Sequence, residues 1–165
     1  MRRKLPFVLG FCCALIMAGC DEKTAPEPPN EFTAILTGAL NDTVSGPGIF
    51  GGPTAHQDFI RLTGRDSSGT SDATIIIQTQ NSPNWTVGTH AVGNGGAASL
   101  ILFSDPFIGD GISGTVTITS STPRTIAGRF NVTFRGQSGG TEGTVSGTFR
   151  AKCASLPDRT CVSSF

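Results

Sequence analysis

Apolar and polar residues alternate with period two over much of this chain, most cleanly in its last third. Ile126, Gly128, Phe130, Val132 and Phe134 fall on one side, and Thr125, Arg129, Asn131, Thr133 and Arg135 on the other. Successive side chains of a strand point to opposite faces, so this pattern predicts a strand with one dry and one wet face. Val145, Gly147, Phe149 and Ala151 repeat the dry row in the following segment, and Ile112, Gly114, Val116 and Ile118 in the preceding one. The links between them, Ser120-Ser121-Thr122-Pro123 and Gly136-Gln137-Ser138-Gly139-Gly140-Thr141, are built from turn formers. Three alternating segments joined by such turns predict an antiparallel meander.

Upstream the same composition of Thr, Ile, Val, Phe and Gly continues back to Phe32. The predicted strands are 32–40, 57–65, 73–80, 84–92, 97–104, 112–120, 124–135 and 142–153, with a short last piece at 160–164. Helical periodicity is absent, and Gly interrupts almost every candidate helix. The fold class is therefore all-β, an antiparallel β-sandwich or small β-barrel of about 8–9 strands with no substantial helix after the leader. The inward glycines Gly114, Gly128 and Gly147 fit bulges or the tight curvature of a small barrel. A helix-free sandwich is the preferred form of the two.

The first 31 residues break this pattern. Arg2-Arg3-Lys4 precedes an almost unbroken apolar run from Leu5 to Ala18, the charge and length pattern of a secretory signal. The run is shorter than the roughly 20 residues of a comfortable membrane span. Met17-Ala18-Gly19-Cys20 then resembles the lipobox of bacterial lipoproteins, with Met17 where that family more often has Leu. The resemblance covers residues 1–20 only. It implies that Cys20 is lipidated and becomes the first residue after cleavage, which places the chain in a bacterial cell envelope, hung on a membrane. Asp21 implies inner-membrane retention by the rule of enteric lipoproteins, a rule that does not carry to all bacteria. Inner and outer membrane both stay open. Residues 21–31 hold three prolines, four acids and one apolar residue, the composition of an extended solvated tether. The expected organisation is a signal peptide at 1–19, the lipidated Cys20 and tether to 31, and one β domain at 32–165.

Charge and cysteine content narrow the chemistry. Three of the 12 Lys and Arg lie in the leader and none of the 12 Asp and Glu does, so the mature part is mildly acidic. Without a basic run the chain does not read as a nucleic-acid binder, since phosphate neutralisation supplies most of that affinity. Cys12 and Cys13 belong to the leader and Cys20 to the anchor, which leaves Cys153 and Cys161. In an oxidising compartment such a pair reads as a disulfide, with Pro157-Asp158 turning the short loop between them.

Catalytic and metal motifs are weak. Gly109-Asp110-Gly111-Ile112-Ser113-Gly114 fits a dinucleotide fingerprint but leads into a predicted strand, not a helix. Gly136-Gln137-Ser138-Gly139-Gly140 fits a nucleophile elbow but sits in a hairpin loop. His56 and His90 each lack a second histidine at metal-ligand spacing. Asp105 and Asp110 share a loop without EF-hand order. No cofactor or metal is expected.

Two apolar segments stand out. Gly46-Pro47-Gly48-Ile49-Phe50-Gly51-Gly52-Pro53 and Ser104-Asp105-Pro106-Phe107-Ile108-Gly109-Asp110-Gly111 each set an aromatic residue and an Ile between Gly and Pro. As loop tips, Ile49, Phe50, Phe107 and Ile108 either plug one end of the core or rim a binding site, with Trp85 as a third member. Three functions are open, in order of preference. The first is an envelope lipoprotein whose non-catalytic β domain binds a protein or another envelope component. The second is a small barrel carrying an apolar ligand. The third, a hydrolase, has no convincing set of nucleophile, base and orienting group.

Overall fold

A computed structural model describes residues 29–54, 57–70, 72–80 and 85–154. Among these every regular element is a strand: β1 (Phe32–Gly38), β2 (Asp42–Gly46), β3 (Gly48–Thr54), β4 (Gln57–Arg65), β5 (Asp72–Thr79), β6 (Gly88–Gly93), β7 (Ala98–Ser104), β8 (Phe107–Ser121), β9 (Thr125–Gly136) and β10 (Glu142–Cys153). The all-β class holds, with ten strands rather than eight or nine. The last piece expected at 160–164 lies outside the described residues.

The ten strands form one sheet that closes on itself, because β1 pairs antiparallel with β10 from Phe32↔Phe149 to Gly38↔Gly143. A sheet without an edge at this seam is a barrel, not a sandwich. Its walls have eight rungs. β2 and β3 are one rung stepped at Pro47: β2 pairs with β1, and β3 then moves past the start of β1 to run parallel with β10 at Gly48↔Ala151. β6 and β7 are another stepped rung. Both lie along one edge of β8, which pairs first with β7 and then with β6. Each rung runs antiparallel to the next, so the chain is an up-and-down meander.

Alternation fills the inside. Leu36, Ile60, Leu62, Ile75, Ile77, Leu100, Leu102, Val116, Ile118, Val132 and Val145 are all buried. On β9 and β10 three glycines each face a phenylalanine across the ladder, as Gly128↔Phe149, Gly147↔Phe130 and Gly143↔Phe134. A methyl group added at these glycines would meet the opposite ring at 2.9, 3.0 and 2.6 Å. Each ring therefore occupies the space its partner leaves, and rings this large fit inside a narrow barrel only over residues without side chains.

The row predicted from Ile112 to Ile118 is broken. A bulge between Gly111 and Ser113 shifts the register of β8 against β9, leaving Ile112 half-buried while Val116 and Ile118 stay in the core. Gly114 sits beside the bulge at φ +126°, and a Cβ there would lie 2.3 Å from the Asn131 carbonyl oxygen. That conformation and that spacing require glycine.

Candidate functional site

The barrel has two distinct ends. At the entry end, Pro29–Glu31 lead into β1, and the Glu31 carbonyl accepts the Arg150 N–H at 2.9 Å. Cys153 and the β8–β9 turn lie at this same end, joined by the Cys153 N–H to the Arg124 carbonyl at 2.9 Å. The far end carries the β7–β8 and β9–β10 turns, linked by the Gln137 N–H to the Ile108 carbonyl at 2.9 Å.

This division separates the residues expected to share a rim. Ile49 and Phe50 belong to β3 and sit at the entry end, where Phe50 is opposite Cys153. Phe107 and Ile108 open β8 at the far end. Neither pair is a loop tip. Pairing through β3 and β8 puts the members of each pair on opposite faces, as strand geometry demands. Phe50 is buried and Ile49 exposed; Phe107 is half-buried and Ile108 exposed. The Phe107 ring lies over Gly109 and Gly136 and meets Phe134 edge-on at 5.4 Å. It covers the far end of the core. Ile108 pairs instead with exposed Phe103 on the outer wall.

Trp85 is at the entry end and is 3 % exposed. Its ring meets His90 edge-on at 5.3 Å, and the His90 Nε2–H donates to the Thr86 carbonyl at 2.8 Å. The Trp85 Nε1–H is buried without a protein partner. The Trp85 backbone N–H donates to the Asp58 carboxylate, whereas the Asp58 N–H donates to the buried Thr79 Oγ1 at 3.0 Å. Burial pushes the Asp58 carboxyl above its ordinary value of 3.8, and the Trp85 hydrogen bond pulls it partly back. This group joins β4, β5 and the segment before β6. Alternation did not reveal it, because Asp58 and Trp85 are 27 residues apart in sequence.

Ser138 lies in the exposed β9–β10 turn, and Asp105 and Asp110 are exposed at the far end. Asp110 accepts the Gln137 Nε2–H at 3.0 Å. Among the described residues no three His, Cys, Asp or Glu side chains gather as metal ligands do. Cys153 is half-buried and packs against the core. Cys20, His56 and Cys161 lie outside the described residues.

The outer wall holds a second feature that the sequence did not bring together. Arg61, Ile49 and Lys152 form one exposed cross-strand row on β4, β3 and β10. Arg150 lies on the same face of β10, and Arg129 stands next to it on β9 opposite Thr148. Beside Arg150 a groove of about 270 Å³ runs between Pro29, Glu31 and Thr33 on one side and Thr148, Ala127 and Thr119 on the other. Between Pro29 and Glu31, the Asn30 Oδ1 is buried without a protein partner. No protein-family model matches the chain, and comparison with curated proteins finds no similar sequence.

Proposed function

We propose that this chain is a lipid-anchored protein of the bacterial envelope whose barrel is a non-catalytic module that works through its outer surface. The observation that carries this reading is the filling of the interior. Where a carrier needs an open cavity of at least about 300 Å³, the described interior is occupied by aliphatic side chains and by phenylalanine rings seated on glycines. Binding by such a barrel belongs to its outside, where exposed Ile35, Ile49, Phe103 and Ile108 interrupt rows of threonine. The anchor reading rests on the leader and on Cys20, and it is supported by the chain entering the barrel beside an exposed basic surface. Cys153 and Cys161 are the proposed disulfide, closing the chain behind β10. A loop this short is worth about 2–3 kcal/mol on the chain-entropy model.

Fractionation of cells producing the native chain or Cys20→Ser tests the anchor. The native protein is expected in the membrane pellet and the variant in the soluble fraction. Retention of the variant on the membrane would remove lipidation as the attachment. Native mass spectrometry of the variant separates the module from the carrier: a bare mass is expected, and a released small molecule of a few hundred daltons would reinstate the cavity reading.

A further inference from the structure

The barrel is electrically polarised along its axis. Among the described residues, Arg124, Arg129, Arg150 and Lys152 lie toward the entry end and Arg61 at the middle of β4, against two acids at the entry end, Glu31 and Asp58. Six acids, Asp42, Asp66, Asp72, Asp105, Asp110 and Glu142, lie at the far end. The two cations at that end are each matched with an acid, Arg65 with Asp72 at 3.3 Å and Arg135 with Glu142 through a 3.0 Å Nε–H bond. The chain as a whole has a formal charge of zero, so its composition hides this separation.

We infer that the entry-end face built on Arg124, Arg129, Arg150 and Lys152 docks the barrel onto an anionic phospholipid surface. Three independent placements favour lipid as the occupant. The described chain enters the barrel at this end, so any tether from a membrane arrives here. Ile49 is 38 % exposed between Arg61 and Lys152 in a single row; an apolar side chain set among cations suits the boundary between headgroups and acyl chains. The groove beside Arg150 adds the hydroxyls of Thr33 and Thr148 next to a guanidinium, a donor set that fits a phosphate. The Thr119 hydroxyl there already donates to the Ala127 carbonyl at 3.2 Å, and Glu31 lines the same groove. The acidic far end is turned away from such a surface, so attraction and repulsion give the same orientation. Glu31 and Asp58 oppose the attraction locally, which makes the contact weak and sensitive to salt.

This inference deepens the membrane-anchored reading, yet its test is separate, because it uses a barrel that lacks the anchor. All ten strands of the closed sheet lie within Phe32–Cys153, so a chain of residues 29–165 contains the whole barrel. Its β signal in circular dichroism verifies folding before use. In co-sedimentation it is expected to bind vesicles of phosphatidylglycerol with phosphatidylethanolamine, to ignore vesicles of phosphatidylcholine, and to be released by added salt. Arg150→Glu with Lys152→Glu should weaken binding about tenfold or more. Arg124→Glu with Arg129→Glu, both fully on the outside, should do the same if the first pair fails to fold. Arg135→Glu at the far end should leave binding unchanged. Equal binding to both vesicle types, no binding to either, or native binding by both double variants overturns the inference. So does displacement by millimolar inorganic phosphate, which would identify a soluble anion as the occupant.

Discussion

At Gly128 the geometry is tighter than the alternation alone implies. A Cβ there would lie 2.4 Å from the Thr117 carbonyl oxygen and 2.9 Å from the Phe149 ring. The carbonyl belongs to the β8 backbone and cannot swing aside as a side chain can, so the two strands must separate. Gly128→Ala is expected to cost about 1–3 kcal/mol, the ordinary range of overpacking, read as a lowered urea midpoint with an unchanged slope. A native-like midpoint would mean that the ladder between β8 and β9 is looser than described. Asp58 gives a second residue-scale expectation. Its carboxyl is raised by burial, so the folded state holds a proton more firmly than the unfolded chain. The stabilisation from its protonated form is full below the unfolded value near 3.8 and is lost as pH rises through the raised folded value. Asp58→Asn removes the charge and keeps an acceptor for the Trp85 N–H. It should be more stable than the native chain at neutral pH, with the gap closing as pH falls through the carboxylate range. A gap independent of pH would exclude ionisation as its source. Of these features the inward direction of Gly128 and Gly147 was readable from period two. The phenylalanine over each glycine was not, because it depends on the register between strands.

Among the elements, 57–65, 73–80, 97–104, 124–135 and 142–153 are readable from alternation and recur in the structure within one residue at each end. β2 and β3 are not, since Gly46-Pro47-Gly48 and Gly51-Gly52-Pro53 have the composition of a loop. Here those residues serve a strand that changes partners. Pro47 stands at the step, and a Cβ on Gly48 would lie 2.9 Å from Leu62 and 3.2 Å from Ala151. The start of β8 is not readable for a related reason: the bulge near Ile112 breaks the alternation that defines the rest of the strand. Such breaks cannot be told from loops until the neighbouring strand is known. β1 tests the closure itself. It bonds to β10 on one edge and to β2 on the other, so a chain starting at Asn41 leaves the β10 edge bare from Gly143 to Phe149. Bare edges pair with other chains. The shortened protein is expected to lose its sharp thermal transition and to form multimers in size-exclusion chromatography. A synthetic peptide of residues 31–40, added during refolding, should restore the monomer by occupying the empty place. A monomer that melts sharply without the peptide would show that β1 does not close the ring.

At the scale of the whole molecule, the choice between sandwich and barrel turns on one contact, the pairing of β1 with β10. The paired residues are more than 100 positions apart, and nothing in either segment marks the other as its partner. Closure constrains where the chain begins and ends. A meander with an even number of rungs returns the chain to the end where it began, and eight rungs bring Cys153 back beside Pro29–Glu31. That puts the chain entry, Cys153 and the basic face at one end, and leaves four rung-to-rung turns at the acidic far end. A permuted chain makes this testable. Joining Phe165 directly to Pro29 uses the 11 residues after Ala154 as the linker, long enough for roughly 35 Å when extended. New termini are placed between Ser138 and Gly139, in the exposed turn between β9 and β10. Exposed turns tolerate such cuts. The permutant is therefore expected to keep the native circular dichroism and to melt within several degrees of the parent, a cost of about 1–2 kcal/mol. The same cut made between Val116 and Thr117, inside β8, should abolish folding, because it divides a rung bonded on both edges. If both permutants unfold, the ends of the chain do not meet and the ring is not closed. If both fold, β8 is not a continuous wall, and the polarised barrel on which the membrane-facing orientation rests would have to be given up.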